Sequence, residues 1–124
     1  MIRLTLAAAS TFAAMSAAFA EGDAAKGAKV FQMCKQCHIA DTPTNRVGPY
    51  LKGVVGRKAG TAEGYPYSPA MKAKGDAGLV WTEDNLDAYL TYPKGFIPNN
   101  KMLFVGIENP DDRADLIAYL RTKM

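Results

Sequence analysis

Both cysteines and the only histidine of the chain fall within five consecutive residues, Cys34-Lys35-Gln36-Cys37-His38. Random placement of two Cys and one His would give that arrangement roughly 2 times in 10,000. With two thiols the chain can form one disulfide at most, which excludes a disulfide-dense secreted scaffold.

The spacing has a mechanical meaning. On a helical turn, residues i, i+3 and i+4 share a face. Two thiols placed this way reach the two vinyl groups of one porphyrin and close as thioethers, and the next imidazole points at the metal. C-x-x-C-H therefore reads as an attachment site for one c-type haem, with His38 on the iron. Three other readings explain less. A dithiol oxidoreductase calls for a βαβ pattern that is missing here. A zinc site would have three ligands and need a distant carboxylate. A structural disulfide leaves His38 without a purpose.

With one His in the chain, the far side of the iron takes methionine, lysine, water or nothing. Met1 and Met15 lie in the leader described below, Met33 adjoins the attachment cysteine, and Met124 is the chain end, where order is usually poor. Met71 and Met102 remain. Met71 sits on a predicted short helix and reads as core filler. Met102 follows Pro98-Asn99-Asn100-Lys101, a polar loop that gives a methionine little packing reason to be there. Met102 is favoured, and Met71 stays open.

The first 20 residues stand apart. Arg3 is followed by an apolar, uncharged stretch from Leu4 to Phe19, then by Ala18-Phe19-Ala20 ahead of Glu21. This predicts a signal peptide at 1–20, cleaved after Ala20. An uncleaved anchor competes, but the stretch is Ala-rich and barely of spanning length. Removing 20 of 124 leaves 104 residues, one domain at 21–124. The net charge of +3 drops to +2 with Arg3, too little to argue for nucleic acid. No spanning apolar run follows Glu21, so the mature chain is not expected to be an integral membrane protein. A monomer is expected.

Helical signals follow one another without a convincing strand. Asp23 caps a predicted helix to Cys34, with Gly27, Val30, Phe31 and Cys34 on one face. Ser68-Pro69 opens a short helix ending at Gly75. Thr82 caps a third that stops near Thr91, before Pro93, with Leu86, Tyr89 and Leu90 inward. Asn109-Pro110 opens the last, striped by Leu116, Ile117 and Leu120. Arg46 to Pro66 and Pro93 to Pro98 read as loops. The class is all-α, three main helices plus short ones, with long loops that need a large apolar group to pack on.

These residues together resemble a class I cytochrome c of the soluble mitochondrial and bacterial type, over essentially 22–123. The resemblance rests on Gly27 and Phe31, Cys34-Cys37-His38, Val47-Gly48-Pro49-Tyr50-Leu51, Gly53-Val54-Val55-Gly56-Arg57-Lys58-Ala59-Gly60, and Tyr65-Pro66-Tyr67-Ser68. It continues through Trp81, Tyr89-Leu90, Pro93 to Pro98, Lys101-Met102 and Asp115 to Leu120. With its leader, the chain is most similar to the bacterial periplasmic members called cytochrome c-two.

The resemblance implies that Cys34 and Cys37 carry the haem, and that His38 and Met102 are the axial ligands. His38 would donate to the Pro49 carbonyl, which fixes its tautomer. Tyr89 would lie on the distal side, Arg57, Tyr67 and Trp81 near the propionates, and Gly27 at a crossing of the first and last helices. Several positions depart from the family pattern. Asn100 stands where threonine is usual, Met71 where asparagine is frequent, Met33 and Glu108 where lysine is frequent, and Asp76-Ala77-Gly78 looks inserted.

The implied function is one-electron transport in the periplasm, respiratory or photosynthetic, with no catalytic residues. Donors would be a quinol-oxidising cytochrome bc complex or a periplasmic dehydrogenase. Acceptors would be a terminal oxidase, a photosynthetic reaction centre or a nitrogen-oxide reductase. Lys29, Lys35, Arg46, Lys52, Lys94 and Lys101 are the candidate docking charges. A small haem peroxidase or a gas-binding haem protein is the alternative, and either needs an open iron site.

Overall fold

The computed structural model describes Ala8 and residues 21–124; the predicted signal peptide and its cleavage site after Ala20 otherwise lie outside the described residues. The elements are α1 (Ala24–Val30), a 3₁₀ turn (Phe31–Met33), α2 (Pro69–Asp76), α3 (Glu83–Thr91), α4 (Pro93–Phe96) and α5 (Pro110–Arg121). Among the described residues there is no named strand, only an isolated antiparallel bridge between Lys58 and Val80.

Each longer helix starts at the side chain that the sequence marked. The Asp23 carboxylate accepts from the Lys26 N–H at 3.1 Å, and the Ser68 hydroxyl from Met71 at 3.1 Å. Thr82 accepts from Asn85 at 3.1 Å, and Asn109 from Asp111 and Asp112 at 2.8 and 3.4 Å. These bonds satisfy N–H groups that have no partner inside the helix.

Two expectations need correction. The first helix does not run evenly to Cys34. After Val30 it tightens, because the Cys34 and Lys35 N–H groups share the Phe31 carbonyl at 2.8 and 3.2 Å. Nor is the stretch from Pro93 to Pro98 all loop. Pro93 opens the four-residue α4, whose few bonds include Phe96 to Tyr92 at 3.0 Å and Ile97 to Pro93 at 3.0 Å. One turn leaves no periodic pattern to read.

The first and last helices of the described residues meet where α1 crosses α5. A Cβ on Gly27 would overlap the Asp115 carbonyl and lie 2.8 Å from the Tyr119 Cβ, so only glycine lets the two backbones touch. The Asp115 carboxylate also accepts from the Asp23 N–H at 2.8 Å. Phe31 and Tyr119 stack with ring centres 5.1 Å apart. Ile97, Leu116 and Ile117 are fully buried, and Leu86, Leu120, Trp81 and Tyr89 are buried in the same core.

The long loops are fastened chiefly by backbone. Gly56 donates to Trp81, Trp81 to Arg57 and Ala59 to Leu79, each at 2.8 Å, which sets Arg57 and Trp81 side by side. Arg113 on α5 bonds Asp87 on α3 at 2.7 Å and the carbonyls of Ile107 and Glu108 at 2.8 and 2.9 Å. That holds the far end of the segment that follows Met102.

Candidate functional site

Residues 34–38 form the turn that the spacing called for. Cys37 and His38 donate to the Cys34 carbonyl at 3.1 and 2.9 Å. Both thiols are free and half-buried, so there is no disulfide between them. Burial, with a contribution from Cys37, pushes the Cys34 thiol up to about 11, so it is protonated at neutral pH.

The His38 ring is fixed from two sides. Its Nδ1 lies 2.7 Å from the Pro49 carbonyl, which can only accept, so Nδ1 carries the proton. Nε2 then keeps its lone pair for a metal. Gly48 lies against the ring, since a Cβ there would come within 2.7 Å of Nδ1 and 2.8 Å of Nε2. Burial holds the imidazole below its ordinary pKa, against the opposing Pro49 bond, and Arg57 adds to the lowering. Both effects favour the neutral, ligating form.

Gly48 belongs to the Val47-Gly48-Pro49 run but was given no task from sequence. The task is clear in the fold: it donates to the Cys37 carbonyl at 2.8 Å and leaves room for the imidazole. The signal was a glycine directly before the proline that accepts from His38.

A second group of the predicted residues is also brought together. The Trp81 and Tyr89 ring centres are 4.9 Å apart, and Phe96 lies 6.4 and 6.2 Å from them. The Tyr89 hydroxyl points at the Met102 sulfur, 3.9 Å away. Burial raises the Tyr89 phenol well above its ordinary pKa, so it stays a donor. Met71 lies in the first turn of α2, packed on the core as filler. Met102 and Cys34 pack on the same core.

Arg57 donates to the Tyr50 carbonyl at 3.0 Å and the Lys52 carbonyl at 3.3 Å, with its guanidinium 5.0 Å from the Tyr50 ring. Its Nε is buried and has no partner among the described residues. Burial lowers the Arg57 pKa, opposed by nearby Tyr67. The Tyr67 oxygen accepts from the Ala62 N–H at 2.8 Å, which leaves its own hydrogen to give. A buried orphan donor normally costs about 1–3 kcal/mol. An anionic group beside Arg57 and Tyr67, such as a haem propionate, would relieve that cost.

The chain's residues therefore fit a covalent haem: two free thiols one turn apart, an imidazole with a committed tautomer, and a donor waiting for an anion. The zinc reading fits less well, since among the described residues no three His, Cys, Asp or Glu side chains gather to hold an ion. Of the docking candidates, Lys29, Lys35, Arg46, Lys52 and Lys101 are exposed. Lys94 is half-buried and donates its ammonium to the Asn100 carbonyl, as the exposed Lys101 does to the Pro66 carbonyl. Beside Met102, Leu103 is 96% exposed and Val105 83% exposed. No helix among the described residues is long and apolar enough to cross a membrane.

Comparison with known proteins gives the same answer. The family model for cytochrome c matches residues 24–123. Cytochrome c2 of Rhodomicrobium vannielii is 50% identical over 109 residues, covering 87% of this chain and 85% of that protein. The structure of cytochrome cH from Methylobacterium extorquens superposes with a TM-score of 0.76 at 50% identity, over 82% of this chain and all of that one. Ferricytochrome c2 of Rhodopseudomonas palustris gives a TM-score of 0.76 at 45% identity, over 82% and 99%. The family carries electrons on covalently bound haem c and is not a family of enzymes. An all-α fold built on a Gly27 crossing, a C-x-x-C-H turn and this match over residues 24–123 place the chain in the cytochrome c family, as a class I member similar to the bacterial cytochromes c2.

Proposed function

We propose that this chain shuttles single electrons in the periplasm, with Cys34 and Cys37 as haem thioethers and His38 and Met102 as axial ligands. Pro49, Arg57, Tyr67, Trp81 and Tyr89 complete the haem pocket. The observation that carries the reading is the His38 ring, whose Nδ1 is tied to Pro49 at 2.7 Å beside two unpaired thiols. When bound, the haem supplies a reversible ferric–ferrous couple, and a thioether ligand favours the ferrous side.

The chain's own residues handle the rest. Pro49 holds the imidazole in its ligating tautomer and strengthens it as a donor. Tyr89 directs its hydroxyl to the Met102 sulfur. Trp81, Tyr89 and Phe96 exclude water on that side. Arg57 would offset the charge of a haem propionate, and Tyr67 would donate a hydrogen bond to it. Ligands held by the fold in both oxidation states leave little to reorganise.

Leu103 and Val105 offer an apolar contact beside Met102, with exposed lysines such as Lys101 to steer acidic partners. Such redox encounters are weak and brief. Donors of the quinol-oxidising bc type or a periplasmic dehydrogenase suit this surface. So do oxidase, reaction-centre or nitrogen-oxide reductase acceptors. Export through the leader at 1–20 places the protein with them.

The test is spectroscopic. Purified protein should retain its haem in acidified organic solvent and show a Met-to-ferric charge-transfer band. Met102→Ala should abolish the band and create peroxide reactivity that the parent lacks. A parent without the band, already reactive with peroxide, would favour the open-site alternatives instead.

A further inference from the structure

We propose that Asn100 is the positioning residue that keeps Met102 in its ligating place, a proposal that rests on the ligand assignment above. Asn100 is polar and only 3% exposed. Its Oδ1 accepts the Met102 N–H at 2.9 Å, an Asx-turn onto the ligand itself. Its Nδ2 donates to the Pro93 carbonyl at 3.0 Å and the Ile97 carbonyl at 2.8 Å. Its own N–H donates to Ile97 at 3.2 Å, and its own carbonyl accepts from the Lys94 ammonium. One residue thus joins α4 to the ligand loop.

The other ties do not hold the backbone of Met102 by hydrogen bond: Lys101, exposed like Leu103, donates its ammonium to the Pro66 carbonyl, and Met102 and Phe104 pack partly on the core. The Tyr89 hydroxyl is 3.9 Å from the sulfur, the long end of such a contact. Immediately before the knot, Asn99 has a φ of 65°, a left-handed conformation that asparagine tolerates better than most residues. Among the described residues, the Asn100 side chain is thus what holds the Met102 N–H by hydrogen bond.

The side-chain chemistry is specific. The job needs one acceptor and two donors on a short stem, and asparagine has them. A threonine hydroxyl accepts from Met102 but has one hydrogen, so it cannot serve Pro93 and Ile97 together. Alanine serves none of the three.

An added ligand reads this out. Imidazole binds ferric iron only when Met102 is off, so its apparent affinity scales with the fraction of loop that is open. Spectral titration of the holoprotein with imidazole should show at least a tenfold gain in affinity for Asn100→Ala. Asn100→Thr should fall between the parent and the alanine variant. Asn85→Ala is the control for general destabilisation, because the Asn85 amide donates to the Val80 carbonyl at 2.8 Å, away from this loop. It should lower the unfolding midpoint and leave imidazole affinity unchanged.

If Asn100→Ala yields no holoprotein, the threonine variant decides: a gain of threefold or more supports the proposal, and a smaller one overturns it. An alanine variant within threefold of the parent, or an Asn85→Ala gain equal to that of Asn100→Ala, also overturns it. Absence of the charge-transfer band from the parent would instead remove the ligand assignment.

Discussion

Gly27→Ala separates two opposing physical effects by sign. Alanine is the better helix former by about 1 kcal/mol, so α1 taken alone gains from the change. The crossing reverses this. The new Cβ overlaps the Asp115 carbonyl and meets the Tyr119 Cβ at 2.8 Å, and neither neighbour is the free end of a flexible side chain. Relief requires α1 and α5 to part by roughly 1 Å or more to restore ordinary contact.

Inserting a methyl where nothing can yield costs about 1–3 kcal/mol. Parting the helices also loosens the Asp23–Asp115 bond of 2.8 Å, at about 1 kcal/mol, and the Phe31–Tyr119 stack. Against the propensity gain, a net loss of about 1–3 kcal/mol follows. For a domain of this size that lowers the melting temperature by roughly 4–24 °C. Thermal melts of ferric protein followed by far-ultraviolet circular dichroism measure it. Gly53→Ala is the comparison, with a φ of 73° and nothing within 4 Å of the new Cβ; it should cost only the left-handed strain of about 1–2 kcal/mol. A Gly27→Ala protein that melts at or above the parent would refute the close crossing.

Other outcomes follow from the same geometry. Tyr89→Phe removes the hydroxyl that draws electron density from the Met102 sulfur, so the thioether donates more to ferric iron and the midpoint potential falls, by about 20–40 mV if the contact contributes a weak hydrogen bond; a rise measured by redox titration would contradict this. Reduction by an acidic redox partner should slow as salt is added, because exposed Lys35, Lys52 and Lys101 steer the encounter, and a rate independent of salt would exclude steering. The bond from Lys123 at 2.7 Å holds the Asp41 carboxyl below its ordinary pKa, so its stabilisation is present above the unfolded value and is lost as pH falls through the folded one. The melting difference between parent and Asp41→Asn should therefore shrink between about pH 5 and pH 2, and a constant difference would argue against the linkage.

What could be read without coordinates was whatever carries its own letter. The cap residues Asp23, Ser68, Thr82 and Asn109 announce helix starts, because a side-chain oxygen is required there. The Cys34–His38 turn was legible because attachment and ligation share one helical turn. What stayed hidden depends on backbone carbonyls, which no letter records. Asn100 looked like a departure from a pattern; its role appears only when the carbonyls of Pro93 and Ile97 converge on it. The single turn of α4 was too short to have a period. The resemblance put Arg57 and Trp81 in one neighbourhood, but the backbone bond that joins them, Trp81 N–H to the Arg57 carbonyl, carries no letter.

The α1–α5 crossing also sets an order of events as the polypeptide is made. The surface that receives α1 belongs to the last helix synthesised, so a nascent strand has nowhere to lodge its first helix until Arg121 has emerged. During that interval the free thiols of Cys34 and Cys37, which follow α1 and its 3₁₀ turn, are not yet held by the crossing.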